Sequence, residues 1–493
     1  MNKLKLIFLA LALVCSLQLS ATDYKASTFG IKSNGTTMNT TSIQAAINYI
    51  SDNGGGRLVF YVGRYLTGTI QLKSNVIIVL EEGAILVGST NIYDYNINNP
   101  YCSLIFAEKQ ENIGITGKGV IDGQGRDVAY NLIDQIHNGI IKDELKNDRP
   151  ARRRPHGIYF RECKNVEITG IMIKNTADWV QVYDQCQNLK IDRITVDSKA
   201  YWNNDGLDIV DCKDVKVTNS FIDATDDAIC FKSHDATKIC ENVEVRNCVV
   251  RSSANGIKFG TVTSGGYKNF RIINNKVYDT YRSAITIATP DGGVVDNILV
   301  DSLYSYNTGN AIYLRVGARW NKGRTGSMSN ITIQNVYAEI PNTKPDAGYV
   351  YEGPIEDMPR NIAPASIVGL PGQDITNVIL RNIKIVYPGG SNPNYAYRGI
   401  RPCELDSIPE MKSAYPEFSQ FKELPAWGFY IRHVRNITFE NVTLTARNKE
   451  YRPAIVLDDV KGATLTTMKY NEPGVSKKQL HIYKSTGIVQ NKK

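Results

Sequence analysis

Histidine is scarce, with five in 493 residues, and the nine cysteines are scattered without one Cys-x-x-Cys pair. The ligand spacing of a zinc centre is therefore missing, and no metal or organic cofactor is expected. An acidic excess is missing too. The formal charge of +8 suits a polyanionic partner, although most basic surfaces are simply solvated. Long apolar runs are confined to the start, "MNKLKLIFLALALVCSLQLSATDY". There Lys3 and Lys5 precede an apolar stretch from Leu6 to Leu19, and Ser20-Ala21 offers small residues for cleavage. This reads as a signal peptide over 1–21 and implies export to the periplasm or beyond, with a lipid anchor at Cys15 as the alternative. No other segment could span a membrane. The run Arg152-Arg153-Arg154 resembles a nucleic-acid patch, but export and the lack of any nucleic-acid motif argue against that partner.

What the chain does have is a repeat. "CKNVEITGIMI" from Cys163 returns as "CQNLKIDRITV" from Cys186, "CKDVKVTNSFI" from Cys212, "CENVEVRNCVV" from Cys240 and "YKNFRIINNKV" from Tyr267. Further copies begin near Val295 and Met328, and "ITNVILRNIKI" and "VRNITFENVTL" follow after insertions. The central copies begin about 23–28 residues apart, a solenoid period. Each alternates apolar and polar residues and is rich in Val and Ile, which is strand chemistry. An Asn recurs at one corner, where stacked amides can bond one another along the stack. The fold expected is all-β: a right-handed parallel β-helix forming one domain over 22–493, as a monomer. The Asn-x-[Ser/Thr] tripeptides at Asn330, Asn436 and Asn441 fall at that corner and read as architecture rather than glycosylation sites.

One segment, "NTTSIQAAINYISDNGGG" at 39–56, has helical spacing. Thr41 and Gln44 could form a capping box, Ile43, Ile47 and Ile50 share a face, and Gly54 can end the helix. Such a helix would cover the open end of the first coil. Stretches near 127–156, 340–373 and 388–428 break the period and read as loops walling a groove.

Apolar alternation aligns successive coils. "DGLDIV" at 205–210 stacks on "DAICFK" at 227–232, then on "NGIKFG" at 255–260, "SAITIA" at 283–288 and "NAIYLR" at 310–315. Third and fifth residues are apolar in every row and face the core. Second residues are all Gly or Ala, which predicts a shallow surface trough. With rows about 4.8 Å apart, Asp205, Asp226 and Asp227 converge, and Asp208 lies beside them on the outer face. Like charges this close should raise at least one carboxyl pKa. A protonated acid beside ionised bases suits glycosidic hydrolysis; turn-formers or calcium ligands are the blander readings.

At these residues the chain resembles the polygalacturonase and rhamnogalacturonase family of glycoside hydrolases, family 28. Asn203-Asn204-Asp205 is similar to the family's Asn-Thr-Asp, and Asp226-Asp227 to its Asp-Asp. "RPHGIYFRECKNVEITGIMIKNTADWVQVY" and "GGGRLVFYVGRYLTGTIQLKSNVIIVLEEGAILVGS" are similar to preceding coils. The resemblance implies an inverting hydrolase of galacturonate-containing pectic polysaccharide or oligosaccharide. Asp226 would act as acid, and Asp205 and Asp227 would activate water. Two motifs depart: Asn255 stands where Gly-His-Gly has His, and Thr286 and Ala288 stand where Arg-x-Lys would fall. The loops favour an exo-acting or oligosaccharide-selective enzyme over one gliding along open chains. Asn203, Asp208 and Asn255 are further candidates for substrate contact. Lys232, Lys258, Arg282 and Arg315 are the cations placed to hold an acidic sugar, unless Lys258 pairs with Asp208 and Arg315 is solvated. A β-helix lyase or a non-catalytic carbohydrate-binding solenoid are the alternatives. An inverting acid–base pair should lie about 6.5–9.5 Å apart.

Overall fold

The computed structural model describes residues 22–142, 154–343, 345, 363–390, 399–473 and 479–491. The expected signal segment, Cys15 and the pair Arg152-Arg153 lie outside them. Short strands stack in parallel, each coil on the one before, as a right-handed β-helix. The front sheet, which carries the acidic cluster, runs through Ser103–Glu108, His156–Arg161, Gln181–Asp184, Leu207–Val210, Ile229–Ser233 and Ile257–Thr263. Register follows the alternation: Leu207 pairs with Ile229, Ile229 with Ile257, Ile257 with Ile285, and Ile285 with Ile312. A one-residue slip would have turned these side chains out of the core. Beyond Phe259 the register shifts, so that Ser233 faces Thr263.

Corners repeat a left-handed residue, mostly Asn, whose side chain can bond locally and so tolerates positive φ. Asn112 donates to Asn75, Asn165 to Asn112 and Asn188 to Asn165, at 2.7–2.8 Å. Asn330, Asn436 and Asn441 belong to the same kind of ladder. All eight described cysteines are free thiols, and seven are buried.

The sequence expectations need four corrections. Helix Thr40–Asp52 covers the first coil with Ile43, Ile47 and Ile50 buried, but it has no Thr41–Gln44 capping box. Gln44 instead clasps the neighbouring coil, accepting from Gln71 N (2.7 Å) and donating to Gln71 O (2.9 Å); an edge strand with unpaired amides outcompetes the helix's own first turn. The stretch 127–156 is not all loop, since helix Gly125–His137 occupies its first part. The stretch 340–373 contains strand Ala365–Val368, a full member of the front sheet between Tyr313–Arg315 and Phe429–Arg432. The Gly/Ala column makes no trough, because it points inward. Gly206, given a Cβ, would strike Ile222 Cγ2 at 2.3 Å, and Ala228, Ala284 and Ala311 are core residues. The chain bends inward where it enters the front sheet, and only small residues fit.

Candidate active site

The acids meet where two coils enter the front sheet. Asn204 fixes the first entry: its amide donates to Thr176 O and Asp178 O, and its oxygen accepts from Ser198. Asn203, in the left-handed conformation, bridges Arg154 and Asp226. Asp205, Asp208 and Asp227 are buried, and Asp226 is half-buried at the edge. Carboxylate oxygens of Asp205 and Asp227 and the Cys230 sulfur all lie within 4.8 Å of one another.

Each acid has a different set of partners. Asp227 is saturated: Oδ1 accepts from Asn255 N (3.0 Å) and Asn255 Nδ2 (2.8 Å), and Oδ2 from Lys258 Nζ (2.7 Å). Burial pushes Asp227 up, but Lys258, Lys232 and the hydrogen bonds outweigh it and hold the carboxyl at about 2. Asp226 accepts only from the Asp227 N–H (3.0 Å) and the Asn203 amide (3.4 Å). Burial and the neighbouring Asp227 charge raise it. Asp205 Oδ2 accepts from Lys232 Nζ (3.1 Å), while its Oδ1 is buried with no hydrogen-bond partner among the described residues. Burial raises Asp205 strongly, against the pull of Lys232. Asp208 also accepts from Lys232 and is raised by burial to about 6.

Lys232 Nζ also lies 2.9 Å from Cys230 Sγ and 4.5 Å from the Trp179 ring centre. Its ammonium therefore occupies the space between Asp205 and Cys230 that a cation would otherwise share. Lys258 does not pair with Asp208; it lies two rows on in the same column and bonds Asp227. Asn255 acts on Asp227, while its own oxygen accepts from Thr286 Oγ1 (3.0 Å) and Ser283 N (3.3 Å).

The segment 399–428 straps the front sheet beyond this point. Leu405, Ile408, Phe418, Phe421 and Leu424 pack on Tyr313, Val368, Tyr430 and Val456, the outward residues of the later rows. The strap brings two side chains to the acids. Tyr415 Oη accepts from Lys258 Nζ (2.8 Å), and Glu417 pairs with Arg282 (2.6 Å). Arg315 is buried, not solvated; it donates to Gly369 O (3.2 Å) and Glu410 O and lies 5.1 Å from the Phe421 ring centre. It holds the strap rather than facing the acids. Arg315→Ala should cost about 3 kcal/mol of stability, since hydrogen bonds from a buried charge are each worth ~1.5–3 kcal/mol. Limited proteolysis should then cut first within 399–428, and a protease-resistant strap in the variant would contradict that role.

On the other side of the acids the outward column continues as a buried apolar cluster. Phe106, Tyr159 and Val182 precede Asp208 in the same outward column. Tyr101, His156 and Trp179 extend this aromatic floor, with His156–Trp179 ring centres 5.5 Å apart. Adjoining recesses of about 190 Å³, lined by Asn98, Pro100, Cys102 and His156, and about 130 Å³, lined by Thr69, Gln71, Tyr101 and Phe106, continue along it. A larger recess, about 600 Å³ beside Lys190, Lys216 and Glu244, lies on a different sheet from the acids.

Sequence reasoning missed Tyr415, Glu417, Arg154, Trp179 and Cys230 as members of this neighbourhood. Cys230 alone was reachable, because it shares a column with Asp208 and Lys258. The strap residues carry no periodic signal.

Residues 59–294 match the family model described as glycosyl hydrolases family 28. The chain is 26% identical over 388 residues to a probable polygalacturonase of Vitis vinifera, covering 72% of this chain and 73% of that one. It is 25% identical over 470 residues to an exo-poly-alpha-D-galacturonosidase of Dickeya chrysanthemi, covering 85% and 74%. The family 28 exopolygalacturonase structure of Yersinia enterocolitica superposes with a TM-score of 0.58 at 18% identity, covering 95% of this chain and 78% of that one.

Proposed function

Because the chain belongs to glycosyl hydrolase family 28, and so is a glycosidase, we propose that it is exported and hydrolyses galacturonate-containing pectic glycans from a chain end, with inversion. Asp226 is the general acid. Its proton passes to the leaving glycosidic oxygen as the bond to the anomeric carbon breaks. Asp205 and Asp227 together activate the water that attacks the opposite face of the same carbon, and its proton passes to that pair, in which Asp227 starts ionised and Asp205 starts raised by burial. The Asp227 charge also sustains the raised pKa of Asp226.

The observation that carries this reading is the unequal partnering of three adjacent acids. Asp227 is tied to a buried ammonium and two amide donors. Asp205 has an ammonium on one oxygen and, among the described residues, no hydrogen-bond partner on the other. Asp226, the most exposed, bonds only amide donors. Environments that push neighbouring carboxyls apart are how acid and base roles are divided. Action at a chain end is supported by the strap, which closes the outward face from Tyr313 onward. It is also supported by the likeness to the Dickeya exo-enzyme. Export is supported by the N-terminal sequence; no described helix is long and apolar enough to cross a membrane.

The test is a panel of pectic oligosaccharides followed by NMR and mass spectrometry. Release of one small product from an end, with the anomeric configuration inverted in the first-formed sugar, is expected. Retention would overturn the inverting mechanism. An unsaturated, UV-absorbing product would replace hydrolysis by elimination.

A further inference from the structure

The acid cluster uses its positive charge internally. Five carboxyls gather here: Asp205, Asp208, Asp226, Asp227 and Glu417. The described cations among them are Lys232, Lys258 and Arg282. Lys232 is shared by Asp205 and Asp208, Lys258 by Asp227 and the Tyr415 hydroxyl, and Arg282 faces Glu417 at 2.6 Å. Arg315, one row beyond Ala288, spends its N–H groups on main-chain carbonyls. Each of these cations is thus already committed to a carboxyl of the cluster or to main-chain carbonyls.

The residues flanking the cluster add no charge. Toward the strap the front-sheet rows continue with Ser283, Thr286 and Ala288, all neutral and buried. On the other side lie buried Phe106 and Tyr159 and half-buried Trp179. A sugar carboxylate seated beside the reacting bond would lose water, meet anionic neighbours and find no uncommitted cation among the described residues. An unpaired charge in such a place is strongly disfavoured. A neutral sugar meets the opposite situation: its hydroxyls donate to carboxylate oxygens, and its C–H face can rest on the half-buried rings of His156 and Trp179.

We propose that the sugar whose anomeric bond is cleaved is neutral, a hexose or deoxyhexose, and that acidic sugars of a pectic chain bind only farther along the aromatic recess. This rests on the preceding reading that these acids are the active site.

The experiment compares matched oligosaccharides: an oligogalacturonide, the same chain with its carboxyls reduced to neutral galactose units, and rhamnogalacturonan oligosaccharides terminated by rhamnose or by galacturonate. The expected result is kcat/KM at least tenfold higher whenever the cleaved sugar is neutral. Glu417→Gln, which removes the counter-ion of Arg282, should narrow that gap by raising turnover of the acidic member. Equal or better cleavage at a galacturonate by the wild-type protein overturns the neutral-sugar proposal and leaves the pectic glycosidase reading standing. Hydrolysis of no member removes that reading, and this proposal with it. If the Glu417 variant does not fold, the wild-type comparison alone decides.

Discussion

Asp226→Asn should lower kcat on the true substrate by about 10²–10⁴-fold, the contribution of a positioned general acid, with KM little changed. Amide oxygen and carboxylate accept equally well from the Asp227 N–H, so the local hydrogen bonding survives. An activated aryl glycoside, whose leaving group needs no proton, should lose much less. Stability should not fall. A carboxyl whose folded pKa is raised contributes stability below its unfolded pKa and loses it as pH rises through the folded value. At pH 7 the Asp226 charge is therefore a cost that Asn removes. Turnover near wild type on the natural leaving group would remove Asp226 as the acid.

Lys258→Met should be among the most damaging single changes to stability. Lys258 is 1% exposed, with its ammonium between Asp227 and Tyr415. Removing one partner of a buried pair costs about 3–5 kcal/mol, because the other charge is left unpaired. The pH dependence gives a second reading of the same event. Asp227 is held at about 2 in the fold, below its ordinary value of 3.8. Its contribution is present above the unfolded pKa and lost as pH falls through about 2. Without Lys258 that depression shrinks and the contribution is lost at higher pH. Urea denaturation from pH 2 to 7 should show a lower midpoint at neutral pH and an acid limb displaced upward. A loss under about 1 kcal/mol with an unmoved acid limb would show that Lys232 and Asn255 suffice to hold Asp227.

The two substitutions separate chemistry from architecture. Asp226 is half-buried, with two weakly placed donors, so its loss should register in turnover. Lys258 is enclosed by the sheet and by Tyr415, so its loss should register first in folding. Tyr415 and Glu417 couple the two, because both arrive on the strap whose docking closes the later rows of the front sheet.

How much was legible depends on whether the signal was local and repeated. Two-residue alternation in "DGLDIV", "DAICFK" and "NGIKFG" placed Leu207, Ile229 and Ile257 in one inward column, and the same register brought Asp205 beside Asp227. The corner asparagines were readable because each coil restates them, and each bonds the next. The Gly/Ala column was misread because composition alone does not distinguish a small residue facing solvent from one at an inward bend. Strand Ala365–Val368 was missed because insertions on both sides hide its place in the series.

By itself, then, the amino-acid order determined the solenoid, its register, the convergence of Asp205, Asp226 and Asp227, and the family resemblance, since all of these are written in short patterns restated coil by coil. Only the tertiary structure decided which ammonium neutralises which acid and which face of the groove is shut. Lys258 meets Tyr415 across 157 residues, and Arg315 reaches Glu410 across 95. Such contacts depend on where a non-repeating segment finds an apolar surface to bury, here Tyr313, Val368 and Tyr430. No period in the sequence encodes that docking, because the hydrophobic effect that drives it is non-directional.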